Sequence, residues 1–447
     1  MGYIPNIIFL VLLAIGVGFF IRNIRKVIRN IKLGTDVDRS DQPGERWAHM
    51  ARIALGQTKM VRRPIAGILH LIVYVGFIII NIEVLEIIID GLVGTHRVFA
   101  FLGPVYNGLI GSFEILAFLV LVAVILFWTR RNVAKIGRFF GREMVGWPKK
   151  DADIILYFEV VLMCLFLTMN AADLQLQRIG AEHYAHAEGI IGAYPISQFI
   201  APLFEGMSAD TLMFVERASW WAHIIGILIF LNYLYYSKHL HILLAFPNTY
   251  FANLKPKGEL DNLESVTTEV KMMMDPSADP FAAAPEGTTE EEPASFGASD
   301  VFDLNWAQLL NAYTCTECGR CTSQCPANHT GKKLSPRKIM MDTRDRLQEV
   351  GSNIDTNGTF QDDGKKLLND YITPEELWAC TTCNACVEAC PVSINPLSII
   401  LDMRRYLVME QSAASNDLNN MMSNIENNGA PWPFNQMDRM KWSEESA

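Results

Sequence analysis

Residues 315–326 read CTECGRCTSQCP and residues 380–391 read CTTCNACVEACP. Both follow the pattern Cys-x2-Cys-x2-Cys-x3-Cys-Pro, a spacing that wraps three thiolates around one [4Fe-4S] cube and sends the fourth to the neighbouring cube. Two copies therefore exchange ligands. One cluster is expected on Cys315, Cys318, Cys321 and Cys390, the other on Cys380, Cys383, Cys386 and Cys325. Pro326 and Pro391 turn the chain away after each fourth ligand. Structural zinc takes four thiolates per site but needs neither a third Cys at this pitch nor Cys-Pro. The chemistry these residues point to is electron transfer.

The elements that must hold the two sets read as helices. VFDLNWAQLLNAY precedes the first set and PRKIMMDTRDRLQEV follows it, each with the apolar spacing of an amphipathic helix. The stretch 326–379 puts 54 residues between the sets, mostly of helical pattern. Compact bacterial ferredoxins use a short connection; this long helical one resembles the α-helical ferredoxin domains of succinate dehydrogenase and heterodisulfide reductase.

Half of the chain belongs to a different solvent. Of 447 residues, 50% are hydrophobic, and the net charge of −10 leaves no footprint for nucleic acid. Runs long enough to cross a bilayer occur at about 5–22, 64–89, 107–128, 153–172 and 218–243. The first has no basic residue before it and Arg22, Arg25, Lys26, Arg29 and Lys32 after it, the pattern of an uncleaved anchor with its amino terminus outside. The 23–63 and 129–150 connections are basic, whereas 90–106 carries only Arg97 and 173–217 only Arg178 and Arg217. Five spans then place the carboxyl half in the cytoplasm of a bacterium, below its inner membrane. The reducing side is also where eight free thiols belong. Residues 251–300 are rich in Pro, Ala, Gly, Ser and acids and read as a flexible acidic linker. Cys164, alone on the fourth span, reads as a small buried hydrophobe. No Rossmann glycine fingerprint or P-loop occurs, so no nucleotide site is expected.

Within the spans, histidine is the residue with chemistry. A buried low-spin haem needs two imidazoles from facing helices at one depth. His70 on the second span and His239 or His241 at the end of the fifth satisfy this. On a continuous helix His241 shares a face with His223 while His239 points almost opposite, which favours His70 and His241 as ligands and leaves His239 at the headgroup interface. His223 has three readings: ligand of a second haem with His183 or His186, wall of a quinone pocket, or helix cap. Glu83, Glu86, Glu114 and Glu159 lie in or at the ends of spans, where carboxyls serve proton paths and quinone sites or merely snorkel.

HLIVYVGF in the second span and YSKHLHIL at the end of the fifth resemble the nitrate reductase γ-type cytochrome b module of membrane-bound heterodisulfide-reductase-like proteins. In that group the haem ligand of the last helix sits in a Ser-Lys-x-x-His motif, here Ser237, Lys238 and His241. CGRCTSQCPANHTGKKLSP and ACTTCNACVEACPVSINPL are similar to its iron–sulfur half. The likeness covers about 50–245 and 300–410. The group includes proteins proposed to act as electron-transfer-flavoprotein:quinone oxidoreductases. Fused members continue into cysteine-rich CCG domains, whose cysteines do not occur in residues 1–447, so the domain is expected to be a separate subunit or to be absent; NNGAPWPFNQMDRMKW resembles the stretch that precedes such domains, which favours a separate CCG-type iron–sulfur subunit docked there. The γ pattern has two histidines in the second helix and this chain has one.

The expected architecture is all-α: a five-helix transmembrane cytochrome b bundle (1–250), the linker (251–300), a cytoplasmic α-helical ferredoxin domain with two [4Fe-4S] clusters (301–410), and a partner-docking tail (411–447). The expected function is that of an oxidoreductase subunit. It passes electrons from electron-transfer flavoprotein, through the clusters and haem b, to menaquinone or ubiquinone in the lipid. Arg320 and Lys332 near the first cluster serve to lower its negative charge or are plain surface residues. The rival readings are a subunit of a lactate, glycolate or thiol/disulfide dehydrogenase, and a membrane-anchored ferredoxin without enzyme activity.

Overall fold

The computed structural model describes residues 3–181, 183–184, 189–275 and 296–444. Five helices are long and apolar enough to cross a membrane: α1 (Ile4–Ile31), then, after the short α2 (Pro43–Met50), α3 (Pro64–Val93), α4 (Pro104–Asn132), α5 (Trp147–Arg178) and α6 (Ala209–Tyr233, prolonged by a 3-10 turn to Tyr236). Four of the five carry Pro in their first turn, where the missing N–H costs nothing. Phe9, Ile110, Phe113, Ala117, Phe166 and Ile224 fill the inside of the bundle, while Ile7, Leu10, Val11, Ile68, Ile78 and Ile125 face outward, as a lipid solvent requires.

The described residues remain helical beyond the bundle. Beyond α6 come α7 (His241–Tyr250), α8 (Glu264–Met274), α9 (Trp306–Thr314), α10 (Pro326–His329), α11 (Pro336–Asn357), α12 (Pro374–Trp378), α13 (Ala385–Ala389), α14 (Pro396–Arg405) and α15 (Asn416–Asn428). Among the described residues there is no strand, only two isolated bridges, one joining Thr35 to Asn305. The second domain packs Leu304, Leu309, Ile339, Leu347, Leu377, Ile399 and Met403 into its own core. Arg346, fully buried there, is neutralised by Asp300 at 2.8 Å and Asp363 at 2.6 Å.

Two differences from expectation have identifiable causes. The helix expected to run from 218 to 243 stops at Tyr233, and Ser237 is extended (φ −114°, ψ 145°). The Ser237 hydroxyl accepts from the His239 amide at 3.0 Å and Asp151 accepts from the Lys238 amide at 3.1 Å, so polar partners take over from helical carbonyls. Cys164 lies on the outside of the bundle rather than within it. Part of the linker expected at 251–300, residues 276–295, lies outside the described residues. The packed part of the second domain already includes Ala298, ahead of the expected start at 301.

The two halves are bolted together. α1 runs past the apolar zone, and its basic last turns reach α11: Lys26 and Arg29 bind Asp355 at 2.6 and 2.5 Å, and Asn30 donates to the Tyr313 hydroxyl at 2.9 Å. A Cβ on Gly351 would sit 2.3 Å from the Asn30 amide, so this crossing requires glycine. Arg337, 1% exposed, donates to Glu143 at 2.7 Å and to the Arg138 carbonyl at 2.7 Å, locking α11 to the α4–α5 connection.

Candidate functional site

The two cysteine loops share one backbone design. Glu317 (φ 54°) and Gly319 (φ 69°) stand two and four residues after Cys315; Thr382 (φ 56°) and Asn384 (φ 59°) stand in the same places after Cys380. Left-handed residues at matched offsets curl each loop so that successive thiols face one centre. Gly319 has a further reason: a Cβ there would meet Arg337 Nη1 at 2.6 Å.

The folding brings distant cysteines together. Cys315, Cys318, Cys321 and Cys390 line one small cavity, with Arg320, Arg337 and Met340 completing its wall. Cys386 in turn feels the charges of Cys380, Cys383 and Cys325. These are the two expected sets of four. Backbone amides already point at the sulfurs: Ile394 N–H donates to Cys390 Sγ at 3.3 Å and Thr382 N–H to Cys380 Sγ at 3.4 Å. Burial pushes the Cys315 and Cys386 thiols up to about 12 and Cys390 to about 11, so each thiolate needs a cationic guest for stability. Four soft ligands around the first cavity, with an amide donor at Cys390, suit an iron–sulfur cube. The other four cysteines are neighbours by charge without a cavity of their own, and among the described residues no group of three or more His, Cys, Asp or Glu closes to the spacing of a single metal ion.

Beside the first loop lie the histidines. His70, on the first turns of α3, and His241, the first residue of α7, face each other with ring centroids 6.5 Å apart. Two imidazoles bound to one iron through nitrogen bonds of roughly 2 Å place their ring centres roughly 6 Å apart. The pair thus has the separation of axial haem ligands. His241 Nδ1 lies 3.1 Å from the Lys238 carbonyl, which fixes Nδ1 as the N–H and leaves Nε2 free to ligate. His70 Nδ1 is buried without a hydrogen-bond partner.

The other histidines are placed differently. His239 is half-buried, edge-on to His241 at 5.3 Å and against Phe230 at 5.4 Å. His223, 2% exposed, is tied through Nδ1 to the Leu162 carbonyl of α5 at 3.0 Å. His183 is exposed, and His186 lies outside the described residues.

Charged residues join the two centres. Lys238, within the Ser-Lys-x-x-His stretch, is ion-paired with Glu317, which also accepts from Arg344 at 2.7 Å. Burial pushes the Glu317 carboxyl up, but the adjacent Lys238 and Arg344 cations more than offset it and hold the group below its ordinary value. Arg320, 4% exposed, donates to the Lys59 and Met60 carbonyls at 3.0 and 3.1 Å just ahead of α3. It is a structural bolt as well as a charge, whereas Lys332 is exposed. Motif reading passes over Glu317, because it occupies a variable position between two ligands.

At the opposite end of the bundle the intramembrane carboxyls separate by role. Glu86 accepts from the Tyr106 hydroxyl at 2.8 Å and from the Phe99 amide at 2.9 Å. Glu114 accepts from the amides of Ile196 and Ser197 at 2.9 and 3.1 Å. Glu159 is half-buried on α5. Glu83, 2% exposed, has Oε2 without a partner.

Comparison with known proteins agrees with this chemistry. Residues 314–394 match the model of the 4Fe-4S dicluster domain, so the second domain is of that iron–sulfur type. The chain is 29% identical to the probable iron-sulfur-binding oxidoreductase FadF of Bacillus subtilis over 98% of its own length and 61% of that protein. It is 25% identical to the EtfAB:quinone oxidoreductase of Syntrophomonas wolfei over 92% of its length and 55% of the other's. A stretch making up 25% of the chain is 34% identical to 56% of one subunit of the ferredoxin/F(420)H(2)-dependent CoB-CoM heterodisulfide reductase of Methanosarcina acetivorans. The chain therefore spans between half and two thirds of the first two relatives. No solved structure matches it.

Proposed function

We propose that this chain is the membrane-embedded electron-transfer part of a quinone oxidoreductase, carrying electrons from a cytoplasmic protein donor to menaquinone or ubiquinone. The observation that carries the reading is the His70–His241 pair at 6.5 Å, set beside the first cysteine loop and ion-paired to it through Lys238 and Glu317. A membrane-anchored ferredoxin has no use for such a pair. The eight cysteines hold two clusters in the two sets of four, and His70 and His241 hold one haem b.

Clusters and haem, when bound, supply one-electron transfer. The chain's own residues orient the ligands and set the local field. Lys238 and Arg344 balance the carboxylate of Glu317 beside the first cluster loop, and Arg320 fixes that loop against the chain entering α3. The relative named EtfAB:quinone oxidoreductase supports electron-transfer flavoprotein as donor; a CCG-type subunit as its port is supported by the likeness of NNGAPWPFNQMDRMKW to the stretch that precedes CCG domains. Exposed Met421, Met422 and Ile425 on α15, with Trp432, Phe434 and Met437 beyond it, offer the apolar surface such a subunit needs. The basic connections favour a cytoplasmic iron–sulfur domain below a bacterial inner membrane.

The test is a dithionite-reduced-minus-oxidised spectrum of the purified protein with iron, sulfide and haem counted per chain, followed by addition of dimethylnaphthoquinone. The reading expects about eight irons and one b-type haem, both reoxidised by the quinone. Clusters without haem or quinone response would reduce the protein to a membrane-anchored ferredoxin.

A further inference from the structure

A cavity of about 470 Å³ opens at the end of the bundle remote from the cysteines, between α1, α3 and α6. Its size falls in the ~300–1,000 Å³ range of small-molecule sites. Its floor holds the unpartnered Glu83; Arg97, Trp220 and Trp221 also line it.

The charge arrangement is selective. Arg97, 7% exposed, comes from the α3–α4 connection and folds inward to Asp173 at 2.6 Å, Asn170 at 3.0 Å and the Tyr106 hydroxyl at 3.1 Å. Asp90 holds that connection by accepting from the amides of Arg97 and Val98 at 2.8 and 3.1 Å. Glu86, one turn from Glu83, is saturated by Tyr106 and Phe99. His96 stands 3.5 Å from Asp173 Oδ1, and Glu216 is paired with Arg217. Glu83 Oε2 has no hydrogen-bond partner, a lack it shares with Asp173 Oδ1 and Asn170 Nδ2, but Asp173 and Asn170 each hold Arg97 through another atom. A buried carboxyl oxygen without a partner is costly, and in an apolar bundle such a group marks a ligand or proton site.

One wall is aromatic, with two tryptophans set edge to face. Trp220 and Trp221 meet at 5.1 Å, and the Arg217 guanidinium lies 5.3 Å above the Trp220 ring. Such walls accept a planar ring, while a polar floor addresses the ring's oxygens.

We propose that this cavity is the quinone site, with Glu83 as the residue that exchanges the substrate's protons; the proposal rests on the quinone oxidoreductase reading. Quinone, two electrons from the reduced iron–sulfur half and two protons become quinol, each carbonyl oxygen ending as a hydroxyl. Glu83 gives a proton to the nearer oxygen, is reprotonated from water at the cavity mouth and gives the second. Arg97, engaged by Asp173, Asn170 and Tyr106, holds the polar wall in place around this exchange.

The test uses the detergent-purified full chain, wild type, Glu83→Gln and Trp221→Leu. Binding is read with heptyl-hydroxyquinoline N-oxide, a fluorescent quinone analogue, and reoxidation by dimethylnaphthoquinone in stopped flow after dithionite reduction. Unchanged cluster and haem spectra serve as the check on folding. The proposal expects Glu83→Gln to bind the analogue but to slow reoxidation about tenfold or more and flatten its pH dependence, and Trp221→Leu to weaken analogue binding about tenfold. Both variants behaving as wild type would overturn the site while leaving the quinone reading intact. A wild type that neither binds the analogue nor is reoxidised would instead overturn the quinone reading itself.

Discussion

The Lys238 ammonium is buried against the Glu317 carboxylate, so the turn that delivers His241 is ion-paired to the loop between Cys315 and Cys318. Replacing Lys238 with Met leaves Glu317 to Arg344 and Asp151 without its nearest cation. Outer-shell partners of ligands are typically worth about 10–100-fold in affinity or activity. Lys238→Met is expected to lower haem occupancy and quinone-linked turnover by that order, with iron content nearly unchanged, as read by haem and iron assays on one sample.

The histidines separate by substitution. His70→Ala and His241→Ala should each remove the b-type haem, whereas His239→Ala should keep it, because it is the His241 ring that meets His70 at 6.5 Å, while His239 packs edge-on to His241. Reduced-minus-oxidised spectra at equal protein concentration decide this; haem persisting in His70→Ala would assign the ligand elsewhere.

Cross-ligation has a direct signature. Cys390 lines the cavity of Cys315, Cys318 and Cys321 although it belongs to the second motif. Cys390→Ser should therefore damage the cluster of the first motif and leave that of Cys380, Cys383 and Cys386, removing about four of the eight irons at most. Electron paramagnetic resonance of Cys390→Ser and Cys325→Ser should show opposite clusters perturbed.

The thiols make cluster assembly sensitive to pH. Burial raises Cys315 and Cys386 from an ordinary 9 to about 12, so the cluster-free fold prefers protonated thiols. That preference is fully present below pH 9 and lost as pH rises toward 12. Each ligand must shed its proton when a cluster forms. Reconstitution with iron and sulfide in weak buffer should release protons and go faster at pH 8.5 than at pH 7, followed with an indicator dye.

The Arg337–Glu143 contact between the halves has the opposite pH sense. Burial raises the Glu143 carboxyl, but Arg337 and hydrogen bonds from its neighbours outweigh this and hold it below its ordinary 4.5. A lowered carboxyl stabilises the fold fully above pH 4.5 and loses that contribution as pH falls through its folded value. Glu143→Ala leaves Arg337 buried without its anion, a loss of about 3–5 kcal/mol. Limited proteolysis between the bundle and the iron–sulfur domain should accelerate in that variant at pH 7, and in wild type only in acid.

Much of this was legible because it is local. Cysteine spacing sorts the eight sulfurs into two sets of four, of which the fold brings the first around one cavity, and long apolar runs mark the spans, whatever the rest of the chain does. His70 and His241 were reachable as residues of matching depth. The break at Ser237 was not, since YLYYSKHLHILL reads as continuous helix; it depends on Asp151, far away in sequence, accepting the Lys238 amide. Cys164 shows the same limit, because which side of a uniformly apolar helix faces its neighbours is decided by those neighbours. Arg97 read as the lone charge of a loop, yet it is folded into the bundle against Asp173. Only the partners met in three dimensions separate Glu83 from Glu86.

Thirteen residues of α3 separate His70 from Glu83, roughly 20 Å along the helix axis. In an energised bilayer that distance is part of the driving force. If electrons enter at one end and quinone protons are taken up at the other, as proposed, net charge moves through the dielectric with every turnover, whichever way the bundle is inserted. A full crossing is worth about 2.3 kcal/mol per charge for each 100 mV. The transmembrane voltage would then act on this protein as a second substrate, favouring one direction of electron flow and opposing its reverse.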